Sequence, residues 1–329
     1  MLGKAGPGGY QKSLLPSPET PSLHVLYVTA TRLGDAVLST GAAARLGENA
    51  RVTVACGPVA AELFATLPGV VRVLSMEKQK AAGHWRKLWR ETIGTRWDLV
   101  VDLRNSPMSR LLRKRKLISI GRADPTRHVV EQIATTLGFD TPPAPRVALD
   151  DASRAEAASL IPDDGRKLLA LAPGAASVGK RWPAARWSEL AQRLTGSDLR
   201  DTRIVLLGAG DDAKITAEIA ALLPGAIDLA NRTRPLVAAA LLERAALYVG
   251  NDSGLTHLAA ATGCKTLALF GPGLPRRYRP WGANAAYAIA HEDPQRTTDL
   301  CKIDDTLATR LMEALSVDDV YDKARALAA

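Results

Sequence analysis

A strand, a polar turn, a helix and a second strand follow one another within residues 246–272, which is the order that a parallel βαβ unit requires. Residues 246–249 and 265–270 are short apolar runs with strand propensity. Residues 255–262 between them have the pattern of a short helix. In such a unit the helix begins at the carboxyl edge of the sheet, where open α/β folds bind ligands. The stretch therefore predicts both a parallel sheet and a place for a ligand.

The start of this helix has the features of an anion site. Free backbone N–H groups around Ser253, Gly254 and Leu255 lie at the positive end of the helix dipole and favour a bound phosphate. His257, one turn after Ser253, can donate to a phosphate oxygen. Asp252 would repel a diphosphate, so we expect it to cap the helix or to meet a ribose hydroxyl. A capped crossover helix with no ligand fits the same residues.

A second glycine turn, near the start of the chain, carries an acidic residue. A β-rich run at 24–30 leads into Gly34 and Asp35, and a helical pattern covers 36–46. Asp35 can cap that helix and complement its dipole. A carboxylate at the carboxyl edge of a first strand can equally serve as a general base. The spacing alone does not decide between these two roles.

The segment GAGDDA at 208–213 matches the relaxed dinucleotide fingerprint GxGxxA, and Asp228 follows at the expected distance. A nicotinamide-dependent oxidoreductase is therefore one alternative. However, Asp211 and Asp212 would stand where the pyrophosphate should lie, and the match falls inside a βα series instead of on its first strand. We interpret the segment as a strand–turn–helix corner, in which Asp212 can accept hydrogen bonds from ribose hydroxyls.

The net charge of +9 favours an anionic partner. No stacking motif or zinc-knuckle spacing is found, so we expect no nucleic acid. The densest basic run includes Arg113, Lys114 and Arg115, and we expect it to meet an acidic acceptor or anionic lipid. Lys180 follows a strand, just before a helix, where a phosphate would bind. Residues 84–93 form an amphipathic helix that packs on its own domain or, alternatively, touches a membrane.

The length of 329 residues is sufficient for two domains. A proline-rich stretch at 141–166 suits a connection between them. The chain has three cysteines, an odd number, and their spacing is not that of metal ligands. We therefore expect reduced thiols in a cytoplasmic protein. The expected division is a disordered tail at 1–22, a first domain at 23–145, a linker at 146–167, a second domain at 168–305 and closing helices at 306–329.

Three segments, taken together, resemble glycosyltransferase family 9, the ADP-heptose:lipopolysaccharide heptosyltransferases. They are RLGDAVLSTGAAARL with Asp35, PGAASVGKRWPAARWSELAQRL with Lys180, and VGNDSGLTHLAAATGCKTLALFGP around Asp252. DLRNSPMSRLL with Arg104 and RHVVEQIATTLGF with His128 are weaker matches. The resemblance runs from about residue 24 to the carboxyl terminus, and the order and spacing of the three segments make it specific.

The resemblance implies an α/β protein of GT-B architecture, in which two Rossmann-like domains face each other across a cleft. It implies an inverting enzyme that moves a heptose or a related sugar from an ADP-sugar to a phosphorylated lipopolysaccharide core acceptor, without a metal ion or other cofactor. Such an enzyme is cytoplasmic and peripherally associated with the inner membrane. Asp35 would be the general base and Lys180 the phosphate-binding lysine, while Gly34, Arg104 and His128 would contact the acceptor.

Three positions depart from the family pattern. Gly41 stands where proline is usual, Gly273 stands where threonine is usual, and Arg104 replaces a residue that is commonly glutamine. These departures leave the sugar and the acceptor open more than the reaction type. Two alternatives remain besides the oxidoreductase: a catalytically silent protein that binds a sugar nucleotide, and a transferase with a different donor.

Overall fold

Alternate residues of the central strands pack into different hydrophobic cores. Along the first strand, Val25 and Tyr27 belong to one core, whereas Leu26 and Val28 belong to another. A strand buried on both faces is typical of a parallel sheet that carries helices on each side. The computed structural model describes residues 23–77, 83–290 and 304–329 and contains two such sheets.

The first sheet has five parallel strands in the order β3-β2-β1-β4-β5. Its strands are β1 Leu23–Val28, β2 Ala50–Cys56, β3 Val70–Ser75, β4 Trp97–Asp102 and β5 Lys114–Ser119. The helices of this half are α1 Leu33–Leu38, α2 Thr40–Gly47, α3 Ala61–Ala65, α4 Gly83–Thr92 and α5 Val129–Leu137.

The second sheet has six parallel strands in the order β11-β10-β9-β6-β7-β8. Its strands are β6 Leu168–Ala172, β7 Arg203–Leu206, β8 Ile227–Asp228, β9 Ala245–Asn251, β10 Thr266–Phe270 and β11 Ala285–Ile289. The remaining helices are α6 Asp151–Leu160, α7 Ala184–Gly196, α8 Asp212–Leu222, α9 Pro235–Glu243, α10 Gly254–Ala261, α11 Pro275–Tyr278, α12 Asp305–Glu313 and α13 Val317–Ala328.

The segment expected to be a linker, 146–167, contains helix α6. Ala157 and Ile161 pack into the same core as Leu241 of α9, so α6 is attached to the second half. The two terminal helices also pack there, because Met312 and Val320 join the core that lies on the second sheet. The tail expected at 1–22 and Cys301 lie outside the described residues. Among the described helices, none has the length and apolar character that a membrane crossing needs.

The predicted helix at 36–46 is present but interrupted. The helical pattern at 36–46 is divided between α1 and α2 at Ser39. The Oγ of Ser39 donates a hydrogen bond to the backbone carbonyl of Ala36 at 2.8 Å. Part of the basic run lies on a strand: Lys114 begins β5, which among the described strands pairs with β4 alone and so forms an edge of the sheet. Alternating polar residues are typical of an edge strand with one solvent-facing side.

Candidate active site

Each sheet has one point where the chain reverses its direction of winding. In the first sheet β1 lies between β2 and β4, and in the second β6 lies between β7 and β9. The loops that follow two such strands diverge and leave a crevice at the carboxyl edge. Asp35 follows β1 and Arg104 follows β4, whereas Lys180 follows β6 and Asp252 follows β9. The topology therefore places four of the predicted residues at the two crevices.

Asp35 lies in the first turn of α1, on the wall of a cavity of about 420 Å³. The N-cap residue of α1 is Arg32, no side chain caps the helix, and the Asp35 carboxylate accepts no hydrogen bond from the described residues. Asp35 therefore does not cap the helix, although its place in the first turn complements the helix dipole. A partly buried carboxylate without a partner in the described part of the chain is available to a substrate.

The second loop at this cavity is organised by Asp102, which is fully buried at the end of β4. Its carboxylate accepts hydrogen bonds from the backbone of Arg104 at 2.8 Å and from the backbone and hydroxyl of Ser106 at 2.8 and 2.6 Å. The turn places Asn105 at a φ of 52°, and the guanidinium of Arg104 lies 5.0 Å from the ring centroid of Trp85. Arg104 therefore lies on the cavity wall, held by a carboxylate that sequence reasoning missed.

Lys180 and Asp252 form an ion pair with an Nζ–Oδ2 distance of 2.7 Å. Their side chains are only 18% and 11% exposed, so the pair is shielded from solvent. The N-cap of α10 is Ser253, and the prediction that Asp252 caps this helix was wrong. A side chain at Gly273 would begin 2.8 Å from Asp252 Oδ2, which explains why glycine suits that position.

The first turn of α10 keeps unsatisfied donors. The N–H groups of Gly254, Leu255 and Thr256 precede the first intrahelical bond and donate to no acceptor in the described chain. Leu33 of α1 packs against the Cα of Gly254, because a Cβ at Gly254 would lie 2.9 Å from that of Leu33. The helix start is thus partly covered by the first domain, which narrows the predicted anion site.

His257 is buried at 5% exposure and its ring lies against Gly34. Burial lowers its pKa, although the nearby carboxylates of Asp252 and Asp35 oppose that effect. The ring is therefore neutral near pH 7, and its Nδ1 has no hydrogen-bond partner among the described residues. In this arrangement His257 lies at the contact between the domains, so its contact with a phosphate stays a prediction that requires the domains to separate.

The GAGDDA turn is closed by its own side chain. Asp212 Oδ2 accepts a hydrogen bond from the N–H of Ala209 at 3.1 Å, and Oδ1 lies 3.4 Å from the guanidinium of Arg181. The carboxylate also packs against Gly174, where a Cβ would lie 2.1 Å from its Cγ. Since Asp212 fills the space that a pyrophosphate needs in a dinucleotide fold, the geometry argues against the oxidoreductase alternative.

The structure separates four predicted acceptor residues from the open cavity wall. Arg113, Lys114 and Arg115 lie beside Trp97 at the amino end of the first sheet, opposite the edge that carries Asp35. His128 is 1% exposed and caps α5, with Nδ1 accepting from the N–H of a residue of that helix and Nε2 bonded to a backbone carbonyl of the second domain. The structure thus gives no support to these four acceptor calls.

The second domain contributes two residues to the cavity that were not predicted. Arg277 and Tyr278 belong to α11 in the second domain, yet they line the cavity of the first. No local pattern marks them, because their place depends on how the domains meet. Among the described residues, no group of three His, Cys, Asp or Glu side chains is arranged to hold a metal ion.

Comparison with known proteins places this arrangement in a family. The profile of glycosyltransferase family 9 (heptosyltransferase) matches residues 122–305, which is more than half of the chain. Lipopolysaccharide heptosyltransferase 1 of Pseudomonas aeruginosa is 30% identical over 305 residues, 77% of this chain and 80% of that protein. Lipooligosaccharide heptosyltransferase 2 of Haemophilus influenzae is 33% identical over 121 residues, and the match spans only 35% of this chain and 34% of that protein.

Solved structures agree on the fold. The ADP-heptose lipopolysaccharide heptosyltransferase II of E. coli superposes with a TM-score of 0.73 at 20% identity, covering 93% of this chain and 98% of that one. The iron-containing dodecameric glycosyltransferase TibC of E. coli superposes with a TM-score of 0.56 at 13% identity, covering 93% and 76%. At these identities the likeness concerns the fold alone, and it confirms the expected architecture of two facing Rossmann-like domains. Together with the profile match and the P. aeruginosa relative, it shows that the chain belongs to glycosyltransferase family 9.

Proposed function

We propose that the protein transfers a heptose or a related sugar, with inversion, from an ADP-sugar to a phosphorylated lipopolysaccharide core acceptor. The observation that carries the proposal is the carboxylate of Asp35, which accepts no hydrogen bond from the described residues and lies on the wall of the 420 Å³ cavity. Relatives that are named for heptose transfer and for ADP-heptose support the choice of donor.

In the proposed reaction the acceptor lies in the cavity of the first domain. Asp35 accepts the proton of the acceptor hydroxyl. The acceptor oxygen attacks the anomeric carbon of the donor sugar in line, and ADP leaves from the opposite face. Charge that develops on the diphosphate is stabilised by Lys180 and by the free N–H groups at the start of α10. These groups supply positive charge at the leaving group, so the proposed step uses no metal ion.

The proposed donor site requires one rearrangement. Lys180 is paired with Asp252, so a diphosphate has to share or replace that carboxylate. Leu33 and Gly34 also lie over the start of α10. A modest opening between the domains would admit the donor, and closure around it would exclude water that otherwise hydrolyses the sugar nucleotide.

The proposed partner besides donor and acceptor is the cytoplasmic face of the inner membrane. The net charge of +9 supports attraction to anionic lipid. The exposed residues Arg113 and Arg115 on the edge of the first sheet, away from the cavity, are placed for such a contact. Binding to vesicles with and without anionic lipid tests this part of the proposal separately from catalysis.

The substitution Asp35→Asn tests the catalytic assignment. Because the amide cannot accept a proton, the transfer rate should fall roughly 10²- to 10⁴-fold while ADP affinity stays unchanged. Asp140→Asn is the matched control, since Asp140 is exposed and remote from the cavity. A fully active Asp35→Asn enzyme would remove the general base from the mechanism.

Binding assays separate the alternatives. A thermal-shift screen over nucleotides and sugar nucleotides reports the preferred donor, since a ligand that binds the folded state raises the apparent stability. A donor that binds without turnover, with core acceptors present, would indicate the catalytically silent protein. Stabilisation by a nicotinamide dinucleotide in place of ADP would restore the oxidoreductase alternative.

A further inference from the structure

Arg277 is a buried arginine whose hydrogen-bond partners among the described residues are all neutral groups. It is 8% exposed. Its Nη1 donates to the backbone carbonyl of Asp124 at 2.8 Å and to Oε1 of Gln132 at 2.9 Å, and its Nε donates to the hydroxyl of Tyr278 at 3.2 Å. The carboxylate of Asp124 itself bonds to Thr126 and pairs with another arginine. Within the described chain, Arg277 therefore has no ion-pair partner.

A guanidinium in this position lacks its usual compensation. Burying a charge is costly unless the charge is paired, and arginine remains protonated at any ordinary pH. The Nη2 of Arg277 donates to no described residue and is not sealed from solvent. Since Arg277 lines the cavity of Asp35, this nitrogen is the part of the group left for a ligand.

The other charged residues that line the cavity are mostly positive, as Arg277 is. Arg32 and Arg104 also line it, and Asp35 is the one carboxylate among the described residues that line it. Gln132 donates through Nε2 to the carbonyl of Arg122 at 2.7 Å, which turns its Oε1 towards Arg277. The guanidinium is thus held in place by the first domain, although α11 belongs to the second. A fixed planar donor group favours a carboxylate or a phosphate.

We propose that Arg277, supplied by the second domain, binds an anionic group of the acceptor, a phosphate or a carboxylate, while the acceptor hydroxyl lies at Asp35. This inference rests on the proposed function. The acceptor cavity is then lined by both domains. An acceptor whose anion binds Arg277 contacts the domain that carries the general base and the domain that carries the donor site. The diphosphate of the donor is also an anion that can bind an arginine. The experiment therefore has to distinguish an anion of the acceptor from the diphosphate of the donor.

The experiment compares core oligosaccharide acceptors that differ only in charge: untreated, phosphatase-treated and carboxyl-reduced. We expect the wild-type enzyme to prefer the untreated acceptor to at least one treated form. Arg277→Gln should lower kcat/KM for the untreated acceptor roughly 10- to 100-fold and leave the neutralised acceptor unaffected. ADP affinity, measured by calorimetry, should not change. Arg276→Gln is the matched control, because Arg276 is the exposed neighbour on the same helix and does not line the cavity.

Three results would overturn the inference. They are a wild-type enzyme indifferent to both treatments, an equal loss on charged and neutralised acceptors in Arg277→Gln, and a loss of ADP affinity in that variant. If Arg277→Gln does not fold, Arg277→Lys retains the charge without the planar guanidinium. It should show a smaller loss of selectivity for the charged over the neutralised acceptor. A wild-type enzyme that binds the ADP-sugar but transfers to no acceptor would instead refute the proposed function, and this inference with it.

Discussion

Gly34 of the first domain lies so close to His257 of the second that a Cβ on Gly34 would be 2.9 Å from the ring Cδ2 of His257. The same Cβ would lie 3.4 Å from the Cα of Gly254. The two helices that carry Asp35 and the proposed anion site therefore touch through glycine backbone. Residues without side chains allow this approach, which brings the two halves of the site together.

Gly34→Ala should destabilise the protein by about 1–3 kcal/mol, because an added methyl group overpacks a buried contact. His257 is 5% exposed and has little room to move aside. Thermal denaturation measures the loss. Gly94→Ala is the control, since a Cβ there meets nothing within 4 Å. If Gly34→Ala were as stable as the wild type, the two domains would not be in this contact in solution.

Glu62 links the domains at a second place. Its Oε1 accepts a hydrogen bond from the N–H of Leu236 in the first turn of α9, and Oε2 pairs with Arg234 at 2.6 Å. Glu62→Ala should cost about 0.5–2 kcal/mol through the lost helix cap. The ion pair adds little, because Arg234 is 37% exposed.

Two variants calibrate this prediction in urea denaturation. Glu62→Gln keeps an oxygen for Leu236 and should lose less stability than Glu62→Ala. Glu48→Ala removes a surface pair with Arg45 whose side chains are 61% and 47% exposed, and it should have almost no effect. Equal losses in Glu48→Ala and Glu62→Ala would contradict a specific role at the domain contact.

Lys180→Ala should weaken ADP binding roughly 10- to 100-fold, because a charge-assisted contact to the diphosphate is lost. The variant also leaves Asp252 without its partner, so a carboxylate would face the phosphates. The double variant Lys180→Ala/Asp252→Asn should therefore recover part of the ADP affinity. Lys214→Ala, on the exposed face of α8, is the calorimetric control. Unchanged affinity in Lys180→Ala would end the phosphate assignment.

Much of the fold could be predicted because its signals are local. Apolar runs bounded by glycine and proline located the strands on either side of α10, and polar turns marked where helices begin. Segment order then placed the turns at Asp35 and Asp252 at the carboxyl edges of their strands, and the family resemblance implied one cleft between the two domains. For Asp35 the sequence left two roles open, since a capping carboxylate and a free one have the same spacing, and only the hydrogen bonds tell them apart.

The contacts that the sequence could not predict join distant parts of the chain. Lys180 and Asp252 are 72 residues apart, so their pairing depends on which strands are neighbours. The six residues that begin at Lys114 are too short for a period to separate strand from helix. The place of Arg277 in the cavity requires the orientation of one domain on the other. Local patterns contain none of this information.

His128 makes stability depend on pH. Burial lowers its pKa from 6.5 to about 4, and the nearby positive charges of Arg279 and Arg277 add to that effect, while a bond to the carbonyl of Arg279 opposes it. The unfolded chain therefore takes up a proton at a higher pH than the native protein. The stabilisation is complete above about pH 6.5, falls as the pH drops towards 4, and amounts to about 3 kcal/mol.

His128→Asn should remove this dependence, since asparagine still caps α5 but does not titrate in that range. We expect a lower stability at neutral pH, because the ring contact with Trp281 is lost, and a smaller further loss on acidification. Urea denaturation at about pH 7 and about pH 5 measures both quantities. His257 is also buried with a lowered pKa and is retained in both proteins. The difference between the two proteins in the slope of stability against pH therefore isolates His128. Equal slopes would mean that His128 is exposed to solvent in the native protein, and that the second domain does not cover it.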